Sequence, residues 1–218
     1  MKLAATLIAL IMGTCTLLAE DNTVRFEKYG FAVRTPNGWH VADPKITKMF
    51  STATHKGVVA HAIHTAPTTD ISTVESDVVM LVTKHPLGAR EDNPNVTVSV
   101  EKSWNPAPQN TGAIYLKLLA ERFTLLKAPS RLKDEPQKVE LGSVAFFMQD
   151  AVNGKVPNAT TRQQYITAYM AGYYVTFIIS YNDKNDPDYQ TMKSMVESFT
   201  TLKKAVQQKP ENDGKPAP

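Results

Sequence analysis

Three neighbouring histidines are the first candidates for metal binding in this 218-residue chain. His55, His61 and His64 lie close together in the sequence, and imidazole nitrogens are common zinc ligands. The segment Gly57–His64 is predicted to be a strand, on which the odd spacing sends His61 and His64 to opposite faces. We therefore expect ordinary histidines, with no metal site and no cofactor.

The segment Asn182–Asp188 has the composition of a calcium-binding loop. If Asp183 were the first ligand, Asp188 would stand at the sixth position, where the turn requires glycine. Ser194 would replace the bidentate glutamate at the twelfth position. We therefore interpret this segment as a polar loop that caps the next helix.

The motifs of common enzyme classes are absent from the sequence. It has no Gly-x-Ser-x-Gly elbow, no Walker loop, no dinucleotide fingerprint and no zinc-protease helix motif. No spacing between carboxylates compels a pair for general acid–base work. These absences lower the odds of an enzyme and leave the question open.

Residues 1–19 have the composition of a secretory signal. Lys2 supplies the positive charge, Leu3–Met12 the apolar core, and Leu17–Ala19 a cleavage site. Cys15 is the only cysteine and lies inside this segment, where Thr14 replaces the small residue that lipid attachment requires. We expect simple cleavage, a secreted or periplasmic location and no transmembrane helix in the mature chain.

Removing the signal would leave a chain without cysteine, and therefore without disulfides or thiolate metal sites. The formal net charge of +3 includes Lys2, so the remaining charge is close to neutral. This charge argues against nucleic-acid or anionic-membrane binding.

The elements that would position any site are organised around the segment Gln163–Leu202. Gln164–Met170 and Tyr173–Tyr181 are rich in β-branched and aromatic residues, and Ala171-Gly172 supplies a turn between them. Both faces of the second run are largely apolar, which predicts a central strand covered on both sides.

A helix is predicted directly after this hairpin. Asp186 is the expected N-cap and Pro187 suits the first helical position. Apolar residues then recur at helical spacing and predict one buried stripe: Tyr189, Met192, Met195, Val196, Phe199 and Leu202.

The rest of the chain predicts further strands and helices. Trp39 is interpreted as a core aromatic after the turn Thr35–Gly38, because its position follows a hairpin turn. A helix is predicted over Ile71–Lys84, since Val78, Leu81 and Val82 share one helical face. The remaining predictions are strands Val24–Tyr29, Phe31–Arg34, Asn95–Val100 and Val139–Asp150, a helix Thr111–Lys127, a polar loop Ala128–Lys138 and a hairpin turn Asn153–Asn158.

Three short motifs resemble the PsbP-like family, whose best known members are extrinsic subunits of photosystem II. These motifs are Tyr29-Gly-Phe31, Pro36-Asn-Gly-Trp39 and Met195-Val-Glu-Ser-Phe199. The same fold is similar to that of a Ran-binding nuclear transport factor and of DcrB-like bacterial envelope proteins. The resemblance implies a fold and an accessory role, and it transfers no metal ligand or partner-contacting residue.

The expected fold is α/β: a layered α/β/α sandwich with a central, mainly antiparallel sheet flanked by helices. We expect one domain over residues 20–202 and a disordered tail over 203–218. The expected function is a non-catalytic accessory or binding module acting on another protein or complex in the cell envelope. The alternative is an envelope hydrolase or small-ligand binder. Trp104 and the turn Asn153–Asn158 are the candidate partner face, although Trp104 could equally close the core at a strand end.

Overall fold

The computed structural model describes residues 22–49, 76–89, 93–103, 109–125, 127–128, 130–153 and 162–202. The predicted signal 1–19, the tail 203–218 and the histidines at 55, 61 and 64 lie outside these ranges. Trp104 and most of the turn Asn153–Asn158 lie outside them as well. Within the described ranges, no helix combines the length and the apolar character needed to cross a bilayer.

Strands are the commonest secondary structure of the described chain. The first five are β1 (Thr23–Phe26), β2 (Phe31–Arg34), β3 (His40–Val41), β4 (Ser76–Thr83) and β5 (Asn95–Lys102). The remaining strands are β6 (Ser130–Leu132), β7 (Gln137–Leu141), β8 (Val144–Asn153), β9 (Arg162–Met170), β10 (Tyr173–Tyr181) and β11 (Thr200–Thr201). Two helices, α1 (Gly112–Leu125) and α2 (Pro187–Glu197), accompany them, and residues 44–49 are also helical.

The strands form two antiparallel sheets. A small sheet has the order β1-β2-β11, and an eight-stranded sheet has the order β3-β4-β5-β10-β9-β8-β6, with β7 also paired to β8. The predicted hairpin is confirmed, because β9 and β10 pair through the turn at Ala171 (φ 50°) and Gly172 (φ 84°). The second strand, β10, is central as predicted, since β5 pairs with its other edge.

The two faces of the eight-stranded sheet differ in what covers them. On one face, here called the core face, Val175, Phe177 and Ile179 of β10 are fully buried in the main hydrophobic cluster together with residues of α2. On the other face, called the α1 face, Tyr174 and Thr176 are buried, whereas Ile178 is only half-buried. Ile178 packs there against a smaller cluster.

The segment Ile71–Lys84 does not form the predicted helix where the structure describes it. Residues Ser76–Thr83 are strand β4, paired with β5 and, at one end, with β3. The apolar run Val78–Val82 fits both periods, and a β-bulge between Val78 and Met80 interrupts the alternation that would have identified a strand. The helix prediction was wrong because a short apolar run does not distinguish the two structures.

The segment predicted as one strand, Val139–Asp150, is a hairpin. Strands β7 and β8 pair across a turn at Gly142, whose φ is 57°. The preceding segment Ala128–Lys138, predicted to be a loop, contains strand β6, which pairs with the far end of β8. In this second hairpin, glycine adopts the left-handed conformation that the turn requires.

The last helix begins as predicted and ends earlier. The Asp186 side chain accepts a hydrogen bond from the backbone of Asp188, and Pro187 opens α2. The helix ends at Glu197, so Phe199 is not part of it, yet the Phe199 side chain is 1 % exposed. The next two residues are strand β11 and pair with β2. This pairing fixes the direction in which Phe199 enters the core.

The opening segment forms strands β1 and β2, which pair through a turn with Gly30 in the left-handed conformation. The hairpin predicted across the turn Thr35–Gly38 was wrong, because β3 after this turn pairs with β4, whereas β2 pairs with β1 and β11. Trp39 is half-buried and packs against the main cluster, as predicted. The described chain therefore combines helices with antiparallel sheets. This arrangement supports the α/β class, whereas the sandwich layering stays a prediction.

Candidate functional site

A cluster of ionisable and aromatic side chains lies on the α1 face, where β5, β9 and β10 meet α1. We call it the tyrosine–arginine cluster, and its members are Glu101, Tyr115, Arg122, Tyr169 and Tyr174. Glu101 comes from β5, and Tyr115 and Arg122 come from α1. It is the strongest candidate for a functional site in the described part of the chain.

The ion pair at its centre is bidentate. Arg122 Nη1 donates to Glu101 Oε2 and Arg122 Nη2 donates to Glu101 Oε1, each at 3.0 Å. The Tyr115 hydroxyl donates to Glu101 Oε2 at 3.0 Å as well. The Glu101 side chain is 7 % exposed, and that of Arg122 is 32 % exposed. Both oxygens of the buried carboxylate are therefore used within the protein.

Tyrosine rings extend the cluster along the sheet. The rings of Tyr115 and Tyr174 stack with centroids 4.7 Å apart, and Tyr169 meets Tyr174 at 5.1 Å. Arg122 lies 6.0 Å from the centroid of the Tyr115 ring, within the range of a cation–π contact. The arginine is thus held by a carboxylate on one side and an aromatic ring on another.

Burial determines the protonation states in the cluster. It raises the pKa of Tyr115 well above its ordinary value, and the negative charge of Glu101 raises it further. Burial alone would lower the pKa of Arg122, but the hydrogen bond and charge of Glu101 raise it overall. At neutral pH, Tyr115 is therefore a neutral donor and Arg122 a cation, so neither side chain can serve as a general base.

The backbone brings α1 close to the sheet at Gly112. A side-chain Cβ at this position would lie 1.9 Å from the carbonyl oxygen of Thr167 in β9. Only a residue without a Cβ permits this approach, which lets Tyr115 and Arg122 reach Glu101 from two turns of one helix face.

Sequence reasoning missed this cluster. Glu101 and Arg122 are 21 residues apart and belong to different elements, so no short motif contains both. One available signal was the spacing of Tyr115 and Arg122, which places both on one face of a helix. Another was the carboxylate of Glu101 on a strand with strict alternation.

Trp104, the one binding residue predicted from the sequence, follows directly after the end of this region. It lies outside the described residues, so the structure does not test it. The described residues on either side converge: Asn110 Nδ2 donates to Ser103 Oγ at 3.3 Å, and Ser103 N–H donates to Gly172 O at 3.0 Å. Ser103 and Asn110 therefore lie beside the β9–β10 turn.

The loop that resembles a calcium site has a structural role. Lys184 Nζ lies 2.6 Å from Asp150 Oδ2, and Lys84 Nζ lies 2.6 Å from Asp188 Oδ2. Asp183 Oδ1 accepts a hydrogen bond from the backbone of Asn185. These contacts fix the loop and the start of α2, as the interpretation of a helix-capping loop predicted.

No group of three or more metal-ligating side chains occurs among the described residues. The predicted strand carrying His61 and His64 lies outside them. The absence of a metal site at these histidines therefore stays a prediction.

Comparison with known proteins identifies the fold. No protein-family model and no curated protein matches this chain. Among solved structures, the chain is similar to cyanobacterial PsbP (CyanoP) from Synechocystis sp. PCC 6803, with a TM-score of 0.51 and 12 % sequence identity. The match covers 88 % of this chain and 99 % of the other. The fold is therefore PsbP-like, whereas the suggested likeness to a Ran-binding factor and to DcrB-like proteins stays a prediction.

Proposed function

We propose that this protein is an exported, non-catalytic accessory or binding module that acts on another protein or complex in the cell envelope. Export is inferred from the predicted signal 1–19, and the accessory role is what the resemblance to the PsbP-like family implies. The proposal concerns what the molecule contacts, because the fold alone does not specify an activity.

One observation carries the proposal: the carboxylates of Glu101 and Asp150 on the eight-stranded sheet are engaged by partners within the protein. Glu101 accepts from Arg122 and Tyr115, and Asp150 accepts from Lys184 at 2.6 Å and from Gln164 at 2.9 Å. A general acid or base must be able to reach a substrate proton. Carboxylates engaged in this way support a role in holding the scaffold.

The proposed partner face is the end of the sheet at the β9–β10 turn. The predicted turn Asn153–Asn158 is not included in it, because β8 ends beside the opposite end of β9. Tyr169 and Tyr173 are half-buried there, and Lys28 lies 5.2 Å from the centroid of the Tyr29 ring. Aromatic side chains with a polar end are enriched in protein interfaces. Trp104 is included because it follows Ser103, whose backbone N–H donates to Gly172 O at 3.0 Å.

The test is recovery of a partner from the envelope fraction of the source cells. The purified protein is attached to resin and incubated with the envelope fraction. Bound proteins are then cross-linked to it and identified by mass spectrometry. Trp104→Ala should reduce recovery, whereas Leu87→Ala, a substitution of a 41 % exposed apolar residue in another loop, should not. Equal recovery by both variants would remove Trp104 from the proposed face.

The same preparation distinguishes the alternative function, an envelope hydrolase or small-ligand binder. A thermal-shift screen with metals and metabolites would be run in parallel. A clear rise in melting temperature with a small molecule, together with no recovered protein, would overturn the accessory role. Specific recovery of a protein without such a shift supports it.

We also propose the layered arrangement that the sequence predicts, with α1 and α2 on opposite faces of the eight-stranded sheet. Leu116 of α1 is buried with Ala151 and Tyr165, and Met192 of α2 is buried with Phe177. An experimental structure with both helices on one face would contradict the proposal.

A further inference from the structure

Two exposed arginines occupy one cross-strand row near the end of β8 and the beginning of β9. Arg131 of β6 pairs with Val152 of β8, and Val152 pairs with Arg162 of β9. Directly paired residues point to the same face of a sheet. Since neighbouring strands lie about 4.7–4.9 Å apart, the two arginine Cα atoms are roughly 9–10 Å apart. We call Arg131, Val152 and Arg162 the arginine row.

Neither guanidinium in the row is paired within the residues that the structure describes. No hydrogen bond or ion pair of either side chain occurs in the described part of the chain. Asp150 lies two residues from Val152 along β8, on the same face of the sheet. Its carboxylate accepts hydrogen bonds from Lys184 at 2.6 Å and from Gln164 at 2.9 Å. The carboxylate that could have balanced the row is therefore already occupied.

The residue between the arginines is apolar. Val152 separates them and is half-buried. Next in the row is Tyr181 of β10, which pairs with Arg162 and is 3 % exposed. The row thus presents two cations with one partly exposed apolar side chain between them, whereas Tyr181 is buried and adds no contact surface. Arginine is favoured at interfaces because its planar group binds carboxylates in a bidentate manner and stacks on apolar surface.

We propose that the arginine row binds an acidic, extended segment of the partner protein. In an extended chain, alternate side chains lie on one face about 6.6–6.8 Å apart, so two carboxylates at alternate positions can each reach one arginine. The apolar residue between the arginines would face backbone or a small side chain. The row lies at the opposite end of β9 from the β9–β10 turn, so it is a second contact in addition to the proposed partner face. This inference rests on the proposed function and adds the chemistry of the partner.

An anionic membrane fits the row less well than an acidic segment. Each Lys or Arg near such a surface contributes about 1 kcal/mol, and recognition uses clusters of roughly 4–8 of them. The row supplies two. Two arginines at a fixed separation are better matched to two fixed carboxylates.

The direct test uses a fluorescein-labelled peptide in which glutamate alternates with valine. Its binding to the unaltered full chain is compared with its binding to the double variant Arg131→Gln with Arg162→Gln. Binding is measured by fluorescence anisotropy. We expect the double substitution to weaken binding at least about tenfold. We also expect binding to the unaltered protein to weaken with added salt, because exposed charges are screened.

The matched control is Arg25→Gln with Arg34→Gln. Both residues are exposed arginines on the small sheet, and the control removes the same charge. Binding by this variant should remain within about twofold of the unaltered protein. A second control peptide carries glutamine in place of glutamate and should not bind. Far-UV circular dichroism confirms that each variant is folded.

Several outcomes would overturn the inference. The first is that the glutamate peptide does not bind to the unaltered protein. The second is that the row and control variants lose equal amounts of binding affinity. The third is that the protein binds phosphatidylglycerol vesicles but not the peptide. The envelope experiment separates this inference from the proposed function. If both double variants recover the same partner equally, the row is not the docking site while the accessory role stands.

Discussion

The two faces of the eight-stranded sheet are held by different kinds of interaction. On the core face, phenylalanine rings meet one another: Phe199 lies 4.9 Å from Phe146 and 5.8 Å from Phe31, measured between ring centroids. On the α1 face, the contacts include directional polar ones, such as Arg122 with Glu101 and the hydroxyl pair Thr167–Thr176 at 3.0 Å. The core face is stabilised mainly by apolar burial, whereas the α1 face combines apolar burial with directional hydrogen bonds and an ion pair.

The two faces therefore contribute differently to the free energy of unfolding and to the exact placement of the helices. Burial of apolar surface is non-directional and strongly favourable. A partly buried ion pair contributes little net free energy, because desolvation offsets much of its attraction. Side chains of the core face should therefore dominate the free energy of unfolding. The tyrosine–arginine cluster should instead fix where α1 lies on the sheet.

The largest expected effect is that of Phe199→Ala on the core face. Removing a ring that is 1 % exposed leaves a cavity among the other phenylalanines and should lower the free energy of unfolding by about 3–5 kcal/mol. Phe123→Ala is the counterpart on the α1 face, where the ring is half-buried, and it should cost clearly less. Urea denaturation measures both. A loss below about 1 kcal/mol for Phe199→Ala would show that the core face is not dominant.

Gly112→Ala should have the next largest effect, and it acts on the α1 face. The added Cβ would lie 1.9 Å from Thr167 O, so α1 must move away from β9. We expect a loss of about 3 kcal/mol, at the upper end of the cost of overpacking. Gly38→Ala is the control: it has open space but a φ of 74°, so its cost of about 1–2 kcal/mol reports backbone strain alone. Equal costs would argue against a close approach at Gly112.

The central hairpin could be predicted from the sequence, whereas β4 could not. Gln164–Met170 and Tyr173–Tyr181 are long, β-rich and joined by a glycine turn, so local preference and tertiary structure agree. In β4, Val78, Leu81 and Val82 satisfy helical spacing, and only the pairing with β5 decides the structure. Short apolar runs are determined by neighbours that a single sequence does not identify.

The candidate site was less predictable than the fold, for a related reason. The prediction of Trp104 rests on a local signal, its position beside a proline-rich break. The contact of Glu101 with Arg122 depends on the registers of β5 and α1, and on the close approach at Gly112. Such a juxtaposition is set by packing, so composition and spacing alone do not reveal it.

Alkaline pH should weaken the α1 face. Burial raises the pKa of Tyr165 from its ordinary value of 10.0 to about 12. Because the folded-state pKa is the higher one, the contribution of Tyr165 to stability is complete below pH 10 and is lost as the pH rises toward 12. The loss at this residue should reach roughly 2–3 kcal/mol.

Urea denaturation across this pH range, together with the phenolate absorbance, measures the effect. Tyr165→Phe should flatten the pH dependence, although it also removes the hydrogen bond of 3.0 Å from the hydroxyl to Gln163 Oε1. Tyr115 remains in this variant, and burial also raises its pKa. Some pH dependence should therefore persist. An unchanged slope in Tyr165→Phe would contradict the assignment.

The smallest expected effect is at the ion pair itself. Glu101→Gln removes the charge opposite Arg122 and should cost about 1–2 kcal/mol, because hydrogen bonds to charged groups contribute about 1.5–3 kcal/mol. The 32 % exposure of the Arg122 side chain reduces this value, since water can replace part of the lost interaction.

The double variant Glu101→Met with Arg122→Met decides between stability and specificity as the role of the pair. Replacing both charges by apolar side chains should restore most of the free energy lost in Glu101→Gln, because no buried charge is left without a partner. If the pair positions α1, protection of the α1 amides from hydrogen exchange should nevertheless fall in the double variant, while protection in α2 stays unchanged. A double variant as unstable as Glu101→Gln, with uniform loss of protection, would instead mean that the pair is a main source of stability.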